Sequence, residues 1–247
     1  MLFLPATPDV IAGFVAEAQA APEELSTIAS VMTAPPMPFL PADQHGKPVL
    51  LAFMTYAGDV VDGERVIAPF RALATPVADM VRPMSYPEMY PPEQEGFRPK
   101  TVTRTMFVDS IDRGAAETIL ERVASSRAVM AVTQMRVLGG AMARVPADAT
   151  AFAHRNSRIM VNVVAAYESP EDVPEHTGWV EGLAGELKQG DDGAYVGFLD
   201  DESDERVRAA YPGGTWERLA AIKARYDPEN VFHLNQNVPP RGPATHR

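Results

Sequence analysis

An α+β fold is predicted for this 247-residue sequence: a largely antiparallel sheet covered on one face by helices, followed by a short helical C-terminal appendage. Three observations carry the prediction. Apolar, β-branched runs outnumber amphipathic helical stripes; some of these runs follow one another without a helix between them; and near residue 188 the sheet-forming pattern gives way to charge.

The opening Met1-Leu2-Phe3-Leu4 reads as a first strand. Thr7-Pro8-Asp9 then supplies a cap, a proline at the first helical position and an acid in the first turn, and Ile11, Phe14, Val15 and Ala18 form a helical stripe reaching about Ala21. Residues 25–33 and 48–57 read as strands joined by a proline-rich loop. A helix over about 62–74 carries Val66, Ile67, Phe70 and Leu73, and Pro-Val-Ala-Asp-Met-Val-Arg-Pro-Met after it reads as a further strand. Residues 85–100 contain four prolines and read as a long loop of the kind that covers a site. A strand near 101–108, a helix near 112–126 with Ala116, Ile119, Leu120 and Val123 on one face, and a strand near 128–138 ending in Gly139-Gly140 come next. A strand over 158–167 and a helix over about 171–188 complete the sheet-forming part, and a boundary near 190 divides the chain into 1–190 and 191–247.

Composition narrows the function. A net charge of −11 repels a polyanion, so nucleic acid is not an expected partner. With no cysteine there is no disulfide, thiolate metal site or cysteinyl cofactor link, and the five histidines show no ligand spacing, so no metal is expected. No apolar run approaches the roughly 20 residues that span a bilayer and no signal core opens the chain, which makes a cytoplasmic protein with no membrane partner the expectation.

The most informative stretch is Tyr226 to Asn237. A helix from near Thr215, with Trp216, Leu219, Ile222 and Tyr226 at helical spacing, must stop at Asp227-Pro228, and Asn235, Gln236 and Asn237 follow. Carboxamides offer donors and acceptors without charge, which suits a polar heterocycle edge, and they also serve turns. The segment 211–240 resembles the C-terminal signature of the berberine-bridge-enzyme-like, FAD-linked oxidoreductases. The likeness extends upstream, to Gly193–Asp201 as a Tyr-x-Asn-aromatic strand, to Thr150–Arg155 as an aromatic-x-His-Arg element and to Leu138–Val145 as a Gly-Gly turn.

The resemblance implies a substrate-binding domain and C-terminal segment that act with FAD, oxidising an alcohol, sugar or secondary metabolite by hydride transfer to the flavin. It puts Tyr195 at the position of an active-site tyrosine, with Gly197 where the family commonly has Asn, and makes Asn235, Gln236 and Asn237 candidate flavin contacts. His154 and Arg155 fall in an element where a buried arginine paired with a loop carboxylate is expected. Gln134, Arg136 and Asn162 lie on strands, where alternation can aim them into a cavity for a small-molecule substrate or outward to solvent. No Gly-x-Gly-x-x-Gly cradle accompanies Gly139-Gly140. The chain reads as part of a truncated or split enzyme, expected to be inactive by itself in that form, whose flavin-binding domain is either on another chain or lost by truncation. The alternative is a flavin-free small-molecule binding or interaction module.

Overall fold

Period-two runs and helical stripes fold as their spacing requires. The computed structural model describes residues 1–90, 100–199 and 203–241. Its elements run β1 (Leu2–Pro5), α1 (Pro8–Ala20), β2 (Leu25–Thr33), β3 (Pro48–Tyr56), α2 (Val60–Ala72), β4 (Ala78–Asp79), β5 (Lys100–Val108), α3 (Arg113–Ser125), β6 (Met130–Val137), α4 (Gly140–Ala143), β7 (Ile159–Tyr167), α5 (Val173–Leu187), α6 (Asp204–Ala209) and α7 (Thr215–Tyr226). Thr7 starts α1 as expected, its hydroxyl accepting from Val10 N, and Asp112 caps α3 by accepting from Ala115 N.

Seven strands form one sheet in the order β4-β1-β3-β2-β6-β7-β5, with every described pairing antiparallel. Helices α1, α3 and α5 pack on one face, so the expected α+β class and one-sided helical cover are both present. Leu50 and Ala52 of β3, Ala29 and Val31 of β2, Met135 of β6, Val161 and Val163 of β7 and Met106 of β5 meet Phe14, Ile119 and Leu183 from the helices. Phe14 and Phe70 close one end edge-to-face at 5.0 Å. The opposite face is covered at the β1–β3 end by Ala34 and Leu40 of the loop after β2, which pack with Phe3 and Val49, and at the β7–β5 end by the chain beyond residue 190; β7 is buried along nearly its whole length.

Some expectations are corrected. The strand expected in 76–84 shrinks to Ala78–Asp79, because Asp79 turns to accept Arg71 Nε at 2.6 Å and Val81 N at 3.0 Å. The proline-rich loop begins with a single tight turn over Tyr86–Met89, boxed by Ser85 and Glu88, and its residues 91–99 lie outside the described ones. The stripe along α7 is covered only at its start: Trp216 packs against Ala194, Leu199, Val207 and Ala210 and Leu219 is half-buried, while Ile222 and Tyr226 are exposed. Among the described residues no helix is long and apolar enough to cross a membrane, and no cluster of metal-ligating side chains occurs.

Ile119→Ala, in the helix layer at 0% exposure, is expected to lower the unfolding free energy by about 2–5 kcal/mol in a denaturant titration. Ile222→Ala on exposed α7 is expected to change it by about 0.5 kcal/mol or less.

Candidate functional site

Antiparallel register lines up side chains across strands on one face. Ser30 of β2 lies opposite Gln134 of β6, Gln134 opposite Asn162 of β7, and Asn162 opposite Thr105 of β5. These four form a continuous uncharged polar row on the face away from the helices. Arg136, two residues along β6 from Gln134, shares that face and donates from Nη2 to Gln134 Oε1 at 3.1 Å. The structure thus brings the three sequence-derived candidates Gln134, Arg136 and Asn162 together, and adds Ser30 and Thr105.

The row is buried: Ser30, Thr105 and Asn162 are nearly inaccessible. Thr105 Oγ1, Asn162 Oδ1 and Arg136 Nη1 have no hydrogen-bond partner among the described residues. Such groups cost stability unless something satisfies them, which marks the row as a place that handles polar chemistry. Burial also holds the Arg136 guanidinium pKa below its ordinary value.

The cover over this end of the face is the turn Val196–Phe198. The expected strand over Gly193–Asp201 is replaced there by a 3-10 turn, and residues 200–202 lie outside the described ones. Gly197 explains the departure: a Cβ there would lie 2.9 Å from the Tyr195 ring, so the glycine lets the tyrosine fold back over its own turn. Tyr195 packs edge-on against Phe198 at 5.3 Å and Phe152 at 6.1 Å. Arg136 stacks its guanidinium over Phe198 at 4.9 Å, so one phenyl ring links Tyr195 to the polar row. Thr103 Oγ1 donates to Phe198 O at 3.1 Å, and Arg206 Nη2 donates to Thr105 O at 2.9 Å.

His154 is a pin for this cover. Its ring stacks on Phe107 of β5 at 4.4 Å, and its Nε2 donates to Ala210 O at 3.2 Å. Burial lowers its pKa, against backbone hydrogen bonding with Ala210 and Ala194 and the charge of Asp191. Arg155 corrects the expected carboxylate pairing: it donates to Phe152 O at 3.0 Å, Met142 O at 3.2 Å and Thr150 Oγ1 at 2.7 Å, tying the Gly-Gly turn to the aromatic element.

The three amides separate. Gln236 Nε2 donates to Leu199 O at 2.9 Å, next to the Tyr195 turn. Asn235 is exposed in the left-handed region at φ 58°, and Asn237 N donates back to Asn235 O at 2.9 Å. Asp227 does more than stop α7: its carboxylate accepts Val231 N at 2.8 Å and Phe232 N at 3.0 Å and pairs with Lys223, which holds its pKa below the ordinary value. The chain so fixed presents Val231, Phe232 and Leu234 to solvent.

Fold and terminal segment are both similar to those of FAD-linked oxidoreductases. The family described as berberine and berberine like matches residues 194–239, so that the chain carries the berberine-type C-terminal segment. The FAD-linked oxidoreductase YgaK of Bacillus subtilis is 29% identical over 189 residues, covering 75% of this chain and 42% of that protein. A chitooligosaccharide oxidase of Gibberella zeae is 30% identical over 118 residues, 44% of this chain and 24% of its own length. Among solved structures, 6-hydroxy-D-nicotine oxidase of Arthrobacter nicotinovorans superposes with a TM-score of 0.74 at 17% identity, over 97% of this chain and 54% of that one. A berberine-bridge-like protein of Arabidopsis thaliana gives 0.71 at 18% identity, over 98% and 56%. At that identity the superpositions establish the fold, and the chain spans about half the length of these proteins or less.

Asp227 yields a pH prediction. Its lowered pKa means that its contribution is complete above the ordinary 3.8 and is lost as pH falls below it. The Val231 and Phe232 amides are expected to lose their protection from exchange on acidification through that range, and Asp227→Asn is expected to weaken it already at neutral pH.

Proposed function

We propose that residues 1–190 and 191–247 form the substrate-binding and C-terminal parts of an FAD-linked oxidoreductase, working with a flavin-binding domain on another chain. The substrate would be a small molecule oxidised at a hydroxyl-bearing carbon: an alcohol, a sugar or a secondary metabolite. The observation that carries this reading is the uncharged row Ser30, Gln134, Asn162 and Thr105 beneath a berberine-type terminal segment.

The residues present fit part of a flavin. The carboxamides of Asn235, Gln236 and Asn237 and the fixed backbone around Asn235 suit a polar ring edge. The cofactor's pyrophosphate would be held by the flavin-binding domain. When bound, the flavin supplies the hydride acceptor.

This chain's residues would bind, orient and deprotonate. Gln134 and Asn162 hold substrate hydroxyls through amide groups able both to donate and to accept. Tyr195 takes the substrate hydroxyl proton at its phenolic oxygen. Phe198 packs against both Tyr195 and Arg136, which holds the phenol beside the polar row. Asn235, Gln236 and Asn237 border the flavin, with Gln236 also anchoring the Tyr195 turn through Leu199 O.

Gly197 supports a second reading, a flavin-free binding or interaction module, because the amide expected beside the flavin is replaced by space that the Tyr195 ring fills. Co-expression with flavin-binding chains encoded nearby separates the two. A yellow complex retaining FAD is expected, and a colourless protein with every such partner would sink the oxidase reading. In the loaded complex Tyr195→Phe is expected to lower turnover by roughly 10²–10⁴ with FAD retention unchanged; undiminished turnover would remove Tyr195 from its role.

A further inference from the structure

Arg136 is a cation without an anion. Its Nη2 donates to Gln134 Oε1 at 3.1 Å, the Phe198 ring lies against its face at 4.9 Å, and Met160 stands opposite it on β7. Among the described residues no carboxylate pairs with it, and Nη1 has no hydrogen-bond partner. That atom is closed off from solvent by this chain's own packing, so its missing partner is not one that an uncovered surface would have met. A guanidinium keeps its charge, and a buried charge is costly until an opposite charge meets it.

Two neighbouring groups also lack partners and complement it. Asn162 Oδ1 can only accept, Thr105 Oγ1 can donate or accept, and neither is bonded among the described residues. Register puts Thr105 directly opposite Asn162, and Arg136 diagonal to Asn162 across the β6–β7 pair. Diagonal positions on facing strands lie about 7–8 Å apart, which favours a ligand whose anion is several bonds away from its hydroxyl.

Charge selects the anion. One guanidinium balances one negative charge, and the row beside it, Ser30, Gln134, Asn162 and Thr105, is uncharged. A carboxylate carries a single charge, whereas a phosphate ester approaches two. The planar fork of arginine also matches the two carboxylate oxygens.

We propose that this site takes a polyhydroxy carboxylic acid, its carboxylate seated on Arg136 and its hydroxyls on Asn162 and Thr105. The carboxylate displaces the Phe198 ring from the guanidinium as it enters, and Tyr195, packed on that ring, registers the movement. The anion seat rests on Arg136 alone. That the acid is the molecule oxidised rests on the oxidase reading, which then concerns a sugar acid and not a neutral sugar.

The probes are D-glucuronate, glucose and glucose 6-phosphate, titrated into the 247-residue chain at fixed ionic strength and followed by NMR at the Arg136 side chain and the Phe198 and Tyr195 rings. Glucuronate is expected to shift all three and to bind roughly tenfold more tightly than glucose. Arg136→Met exchanges a buried charge for an apolar side chain; it is expected to fold with stability unchanged or raised and to abolish the preference. Arg136→Lys keeps the charge without the fork and is expected to lose most of the preference. The proposal is overturned if glucuronate leaves Arg136 unshifted, which would make water the occupant, if glucose binds as well as glucuronate, or if glucose 6-phosphate binds more tightly. Full retention of the preference in either variant overturns it too. A chain that prefers glucuronate but takes up no FAD with any partner keeps the anion seat and rejects only the oxidase reading. An active flavin complex with equal kcat/KM for glucose and glucuronate overturns the substrate class and leaves the oxidase reading intact.

Discussion

Everything in this molecule depends on one geometric constraint, the period-two alternation of side chains carried in register across antiparallel strands. Because Ser30, Gln134, Asn162 and Thr105 occupy one row, their neighbours Ala29, Met135, Val161 and Met106 occupy the helix-facing side. A one-residue slip of β6 would exchange Gln134 with Met135, placing an amide under the helices and a thioether in the polar row. The apolar contacts with Ile119 and Leu183 therefore do two things at once. They stabilise the fold, and they hold the chemistry-bearing residues to the other face.

That face is completed by a segment remote in sequence, attached through polar contacts as well as a small core of Ala194, Leu199, Val207 and Ala210. Thr103 and His154 donate to main-chain carbonyls of this segment, and the segment's own Arg206 donates to Thr105 O of β5, contacts that specify position more than they contribute stability. At its far end the Asp227 carboxylate organises two successive amides, so that Val231, Phe232 and Leu234 are exposed on an ordered backbone. Ordering an apolar surface in advance lowers the entropic cost of burying it against a partner.

Much of the fold was legible from the sequence, because Thr7, the stripe of Ile119 and Val123 and the apolar runs of β2 and β3 are local signals. Gln134, Arg136 and Asn162 were legible as strand residues of undetermined facing. Their union in one row, and the inclusion of Ser30 and Thr105, came from register, which is set by tertiary pairing and leaves no local mark. The turn at Tyr195 was read as strand from the resemblance of residues 193–201 to a Tyr-x-Asn-aromatic element, and the ring folded over Gly197, where that element has Asn, accompanies the bend. Arg155 was assigned a carboxylate on general expectation for buried cations, yet three oxygen acceptors that carry no formal charge satisfy it.

The strand order leaves β5 at the margin of the sheet, nine residues long and rich in threonine. A margin of that length is a template on which like chains assemble into aggregates. Arg206 occupies the Thr105 carbonyl, and the Thr103 side chain is tied to Phe198, so the segment that bounds the candidate site also guards this margin. Colloidal stability and ligand chemistry are thereby coupled. Changes that loosen the terminal segment to admit a new ligand would also expose β5 to self-association, a restraint on how freely the polar row can be remodelled.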